Sequence, residues 1–148
     1  MFCKTVWSGL YILPDGYIRL CSIGQNSDPA LDMQRCRDRD GNVMHILTHS
    51  IEEIMNSDKH REVRLFNINN PDKWSPHCDC CENREIVTGY DRTHANKSRR
   101  IYLMNISNDS VVSEKTFMNN TDAEGNISWV PSSLDIRFGN LCNQKCIM

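Results

Sequence analysis

Cysteines are the residues of this chain best suited to chemistry, and there are eight of them among 148 residues. Cys78 and Cys81 form a C-x-x-C pair, and Cys142 and Cys146 form a C-x-x-x-C pair near the end of the chain. A tight turn at such a spacing lets two sulfur atoms face the same metal ion or cluster. The two pairs therefore predict metal or cluster ligation.

Two cysteines of the N-terminal segment complete the first set. Cys3 precedes the first strand of a predicted β-hairpin, and Cys21 lies near the end of its second strand, so the hairpin can bring the two together. With Cys78 and Cys81 they make a closed site of four thiolates. Such a site suits Zn²⁺ or an iron–sulfur cluster, and the ligand type alone does not choose between them.

Two residues beside the C-x-x-C pair offer alternative ligands, and one further cysteine is not expected to be a ligand. Cys80 could replace Cys78 or Cys81, because adjacent cysteines make the register ambiguous. His77 is a candidate ligand in a zinc version of the site. Cys36 lies in a polar stretch without an evident partner and is predicted to be a free thiol.

The last fifteen residues carry the second set. Residues 133–138 alternate between apolar and polar side chains, which predicts a short strand, and Gly139-Asn140 then begins the loop that holds Cys142 and Cys146. This arrangement resembles the C-x-x-x-C-x-x-C cluster loop of radical S-adenosylmethionine enzymes, whose third cysteine would follow Met148. We therefore expect the chain to be the front end of a larger enzyme. Met148 occupies the adenine-side position, where the family usually has an aromatic residue.

The resemblance implies a particular chemistry for the complete enzyme. Three cysteines would hold a 4Fe–4S cluster whose open iron binds S-adenosylmethionine, and reductive cleavage would release a 5′-deoxyadenosyl radical that abstracts hydrogen from a substrate. Only Cys142 and Cys146 of the three ligands are present. Catalysis by these 148 residues alone is therefore not expected.

The N-terminal part resembles a SPASM/twitch auxiliary-cluster module. The resemblance rests on an early cysteine, a Pro-Asp-Gly turn with a cysteine five residues after its glycine, an Ile-Glu-Glu-Ile helix and the C-x-x-C pair. It implies one auxiliary 4Fe–4S cluster, a peptide or protein substrate and a reductant protein as partners. The auxiliary ligands by resemblance are Cys3, Cys21, Cys78 and Cys81. The alternative function is a stand-alone zinc-binding or protein-interaction module.

The elements that must position these ligands predict an α+β fold. Pro14-Asp15-Gly16 is a turn between two β-rich runs within residues 6–22, which indicates a hairpin. Ser50 to Glu53 fits a capping box, a second helix begins after Ser57, and Asn69-Asn70-Pro71 ends it.

Three segments follow from this reading. Residues 1–104 would form the cysteine-ligated domain of a hairpin and helices, and 105–131 a connector or irregular β segment. Residues 132–148 would begin a partial α/β TIM barrel, with its first strand and an incomplete cluster loop.

Composition excludes several classes of partner. Seventeen Lys and Arg residues against nineteen Asp and Glu residues leave a net charge of −2, so nothing steers the chain toward nucleic acid or membranes. No secretory signal opens the chain and no stretch has the ~20 apolar residues that cross a bilayer. A cytoplasmic protein with reduced thiols is the expectation.

Overall fold

The computed structural model describes residues 3–21, 34–78 and 114–137. Short helices and a three-stranded sheet make up this part of the chain. The elements, in chain order, are α1 (Thr5–Ser8), β1 (Gly9–Ile12), β2 (Ile18–Arg19), α2 (Ile51–Met55), α3 (Asp58–Asn69), a 3₁₀ turn (Pro76–Cys78), α4 (Glu114–Asn119) and β3 (Ser133–Ile136).

The predicted hairpin is confirmed. Strands β1 and β2 pair antiparallel, with Ile12 opposite Ile18. The turn between them closes through a 2.9 Å hydrogen bond from the Leu13 amide to the Tyr17 carbonyl. Gly16 has a φ of 81°, a backbone conformation that residues with a Cβ rarely adopt.

The first strand is shorter than the sequence predicts. Residues 5–8 form the helical turn α1, and the strand begins only at Gly9. Val6, Trp7 and Ser8 are all buried. The Trp7 and Ser8 amides both donate to the Lys4 carbonyl, and these local bonds define the helical turn.

Strand β3 joins the hairpin to the C-terminal part of the described chain. It pairs parallel to β1, with Gly9 opposite Ser133 and Ile12 opposite Ile136, so the strand order is β2-β1-β3. The predicted strand over 133–138 is thus present as Ser133–Ile136. It belongs to the same sheet as the hairpin, and a partial barrel stays a prediction.

Both predicted helices after residue 50 are confirmed. Ser50 Oγ accepts a hydrogen bond from the Glu53 amide, and the Ser50 amide donates to Glu53 Oε2 at 2.7 Å, which completes the capping box of α2. Helix α3 ends at Asn69, and its cap residue Asn70 donates its amide hydrogen to the Phe66 carbonyl. Hydrogen bonds local in the chain therefore set the limits of both helices.

The segment predicted as a connector contributes to the core. Its described part contains α4, and Phe117 and Ile127 pack into the same apolar cluster as Trp7. Asn56 donates to the Ile127 carbonyl and accepts from the Ile127 amide, both at 2.9 Å. The Trp129 indole donates to the Trp7 carbonyl at 2.8 Å. Residues 114–137 are consequently part of the body formed by residues 3–78.

A buried arginine links four segments of this body. Arg64 has no solvent-exposed surface, and its guanidinium donates to backbone carbonyls of α1, α2 and the loop after α4. The accepting carbonyls are those of Val6 at 2.9 Å, Met55 at 2.7 Å and Gly125 at 3.1 Å. Burial lowers the pKa of Arg64 to about 9, so the side chain is still cationic at neutral pH.

Among the helices of the described segments, none has the length and apolar character that crossing a bilayer would require.

Candidate metal centre

Cys21 lies two residues after β2, near the end of the hairpin where the sequence analysis placed it. Its side chain is half-buried and its thiol is free of disulfide bonding. It lines a small cavity together with Arg19 of β2 and with Asp135 and Arg137 at the C-terminal end of β3. The hairpin and the parallel strand therefore enclose this cysteine from two sides.

Cys78 ends the 3₁₀ turn Pro76–Cys78, and it too is half-buried and not in a disulfide. Its amide donates to the Ser75 carbonyl at 2.8 Å, and Ser75 is 1% exposed. His77 Nε2 lies 3.2 Å from Glu62 Oε2, so the histidine ties the turn to α3.

Gln34 connects the surroundings of Cys21 and Cys78. Gln34 Nε2 donates a 2.6 Å hydrogen bond to the carbonyl of His77, the residue before Cys78. Gln34 Oε1 lies 4.0 Å from Cys21 Sγ, at the limit of a hydrogen bond that involves sulfur. One side-chain amide thus touches the Cys21 thiol and the backbone that carries Cys78. The sequence analysis missed Gln34, since nothing in its spacing marks it.

Cys3 lies before α1, which separates it from the first strand of the hairpin. It is half-buried and immediately precedes the first turn of α1, where the Lys4 carbonyl accepts hydrogen bonds from the Trp7 and Ser8 amides. Within the described segments, no three His, Cys, Asp or Glu side chains converge tightly enough to hold a metal ion. Cys3, Cys21 and Cys78 are therefore not a closed three-ligand set.

The remaining predicted ligands lie outside the described residues. They are Cys80, Cys81, Cys142, Cys146 and Met148. Their assignment stays a prediction, as does that of the four-thiolate set as a whole.

Cys36, predicted to be a free thiol, is free and fully buried. Its Sγ lies 3.5 Å from Nδ1 of His60, which in turn lies 2.9 Å from Ser57 Oγ. Burial raises the pKa of Cys36 to about 12 and lowers that of His60 to about 3, so both groups are neutral at pH 7. A neutral thiol is a poor metal ligand and a poor nucleophile, which makes this pair structural.

The described residues fit an iron–sulfur group in donor chemistry and in charge. Cys3, Cys21 and Cys78 are not in disulfides, and thiolates are the usual ligands of such clusters. A cluster held by thiolates carries net negative charge, which a nearby cation stabilises. Arg19 is 5% exposed and shares the cavity of Cys21.

A broad cleft of about 1080 Å³ elsewhere on the molecule is lined by none of the described cysteines. Two turns of the same sequence type flank it, Asp-Arg-Asp-Gly-Asn over 38–42 and Asp-Ala-Glu-Gly-Asn over 122–126. In each turn the first aspartate accepts backbone hydrogen bonds from the third and fifth residues. These bonds occupy the Asp38 and Asp122 carboxylates, so both turns are structural.

Comparisons with known proteins agree with the thiol-rich character of this region. The model of the SPASM iron–sulfur cluster-binding domain matches residues 3–82, more than half of the chain. No curated protein and no solved structure matches it. The matched segment includes the hairpin, helices α2 and α3, and the C-x-x-C pair.

Proposed function

Because the chain belongs to the SPASM family of iron–sulfur cluster-binding domains, we propose that residues 3–82 hold one auxiliary 4Fe–4S cluster. The proposed ligands are Cys3, Cys21, Cys78 and Cys81, with Cys80 as the alternate for either member of the C-x-x-C pair. The observation that carries this proposal is the family match, which spans every one of these cysteines.

The contacts around Cys21 and Cys78 support the assignment. Both thiols are half-buried and neither is in a disulfide, and the Gln34 side-chain amide lies near the Cys21 sulfur and bonds the carbonyl of the residue before Cys78. Cys36 does not suit ligation in this way, because its thiol is fully buried in the core against His60. The protein thereby separates candidate ligands at the hairpin end and the 3₁₀ turn from a structural thiol in the core.

The residues of the chain would have three tasks in such a centre. The hairpin and the 3₁₀ turn hold Cys21 and Cys78, and the buried Arg19 beside Cys21 compensates negative charge. The half-buried position of the thiols limits access of water to the site. A bound cluster would supply one-electron transfer or an anchoring iron, with a potential that depends on nearby charge, hydrogen bonds and exposure.

We further propose that this domain serves a radical S-adenosylmethionine enzyme, the type of protein to which SPASM domains belong. Cys142 and Cys146 would be two of the three ligands of a second cluster, and Met148 would lie on the adenine side of S-adenosylmethionine. The reaction would be hydrogen abstraction from a substrate, conceivably a peptide, with electrons from a reductant protein. In a polypeptide with a complete C-x-x-x-C-x-x-C loop, Cys142→Ala should abolish reductive release of 5′-deoxyadenosine.

Anaerobic reconstitution of the 148-residue chain tests the auxiliary cluster. With ferrous iron and sulfide, the wild-type chain should become brown and contain about four iron and four sulfide per polypeptide. Cys21→Ala and Cys78→Ala should each lose most of the visible charge-transfer absorbance. Separate Cys80→Ala and Cys81→Ala variants would show which of the two completes the site.

Two matched controls keep this experiment specific. Cys36→Ala should retain the cluster, because that thiol lies in the core beside His60. The double variant Cys142→Ala/Cys146→Ala should retain the N-terminal cluster as well. Colourless protein with stoichiometric zinc would refute the proposal and favour a zinc module. Equal cluster loss from Cys36→Ala and Cys78→Ala would refute the ligand assignment.

A further inference from the structure

We propose that Gln34 is a positioning residue for the auxiliary cluster, and that the hydrogen bond from its side-chain amide to the His77 carbonyl sets the placement of the turn that ends at Cys78 relative to the end of the hairpin that carries Cys21. This inference rests on the proposed function, since it concerns the same site. Gln34 is neither a cysteine nor part of any spaced motif. Its side chain reaches both candidate ligand segments.

The backbone of Gln34 is fixed next to the hairpin. Its carbonyl accepts a 2.8 Å hydrogen bond from the Leu20 amide, one residue before Cys21. Two residues later, the Cys36 amide donates to the Ile18 carbonyl at 3.0 Å. Lys59 Nζ of α3 donates to the Arg35 carbonyl at 3.0 Å. These three bonds hold the strand-like segment 34–36 between β2 and α3, so the Gln34 side chain projects from a rigid base.

The Gln34 amide has a determined orientation. A carbonyl oxygen can only accept, so the NH₂ group must face His77, and the 2.6 Å separation is that of a strong hydrogen bond. Oε1 then faces Cys21 Sγ. On the far side of the turn, His77 contacts Glu62 of α3. His77 is thus contacted on two sides. Gln34 bonds its backbone carbonyl, and Glu62 of α3 contacts its ring.

Glutamine is suited to this position by its chemistry. It is neutral, and it presents a donor and an acceptor on one planar group. Leucine has a similar size but neither donor nor acceptor, so it would leave the His77 carbonyl without this partner. Glutamate has the same shape but would set a carboxylate against a carbonyl oxygen and add negative charge beside the ligand sulfur. The two substitutions therefore separate the loss of the hydrogen bond from the effect of charge.

The test compares Gln34→Leu and Gln34→Glu with the wild-type chain before and after reconstitution. In the iron-free chain, amide hydrogen exchange over residues 75–78 should accelerate in both variants. After reconstitution, Gln34→Leu should release iron to a chelator about five- to tenfold faster than wild type, as expected for the loss of one hydrogen bond. Gln34→Glu should release it faster still, and the reduction potential of its cluster should be lower than that of Gln34→Leu.

Asn120→Leu is the matched control. Asn120 Nδ2 also donates to a backbone carbonyl, that of Thr116 at 2.8 Å, but it lies at the end of α4 and lines the broad cleft, which no described cysteine lines. It should leave the exchange over 75–78, the release rate and the potential unchanged. A wild-type chain that takes up no cluster would overturn the proposed function and this inference together. A wild-type chain that holds the cluster, with Gln34→Leu releasing iron at the same rate, would overturn this inference alone.

Discussion

The buried His60 should make the stability of the fold depend on pH between pH 7 and 5. His60 has no exposed surface, and its Nε2 has no hydrogen-bond partner among the described residues. Desolvation, assisted by the nearby Arg64 and Lys59 charges, lowers its pKa from 6.5 to about 3. In the folded state the ring consequently stays neutral well below the pH at which an exposed histidine gains a proton.

The sign and size follow from proton linkage. Below pH 6.5 the unfolded chain binds a proton at His60 and the folded chain does not until about pH 3, so stability is complete above 6.5 and falls as pH decreases. With those two pKa values, the free energy of unfolding should fall by about 2 kcal/mol between pH 7 and 5. Carboxylates contribute mainly at lower pH, because hydrogen bonds lower the pKa values of Asp122 and Glu53 below 3.8 and 4.5.

Urea denaturation of the iron-free chain at pH 7 and at pH 5 measures this difference. His60→Gln is the control variant, since glutamine is polar but does not titrate, and its free energy of unfolding should change much less over the same interval. In the folded wild type, the ring protons of His60 should keep constant NMR shifts across the interval. A His60→Gln variant with the same loss of stability as wild type would contradict the reasoning.

Substitutions at three further positions test the elements that hold the site. Gly16→Ala should lower the free energy of unfolding by about 1–3 kcal/mol in urea denaturation, because φ at this position is 81° and a Cβ would lie 2.3 Å from His45 Nε2. A variant as stable as wild type would show that the turn relaxes freely. Arg64→Met should lower the free energy of unfolding by about 3–5 kcal/mol, since three buried carbonyls lose their donor, and Arg64→Lys should lower it less. An Arg64→Met variant as stable as wild type would disprove the linking role. Ser50→Ala should lower the free energy of unfolding by about 0.5–2 kcal/mol, because the Glu53 amide loses its hydrogen bond to Ser50 Oγ. An unchanged melting temperature in thermal denaturation would contradict the importance of this cap.

The sequence alone predicts the surroundings of one candidate ligand. Spacing puts Cys21 near the end of the second strand of the hairpin, and the structure has it two residues after β2. The tight turn predicted between Cys78 and Cys81 lies largely outside the described residues. The prediction for Cys21 was possible because a hairpin depends on residues close together in the chain. Gln34 could not be found in this way, because it meets His77 across a separation of 43 residues. Its role depends on two loops approaching each other in space.

Burial of the two faces of β3 is not evident from its alternating pattern. In β3 Leu134 is 58% exposed and Ser133 is 5% exposed. Alternation sets the period of a strand but not which face lies against the body. That choice belongs to the packing of β3 beside β1.

Local chemistry in the sequence determined the hairpin turn, the capping box and the limits of α2 and α3, because each depends on hydrogen bonds or backbone preferences within a few residues. Only the tertiary structure decided that β3 lies parallel to β1 and that residues 114–137 complete the core. It also decided that Arg64 is buried among carbonyls of three segments. These features join residues far apart in the chain, where burial of apolar surface and the need to satisfy buried polar groups select one arrangement among many that the local pattern allows.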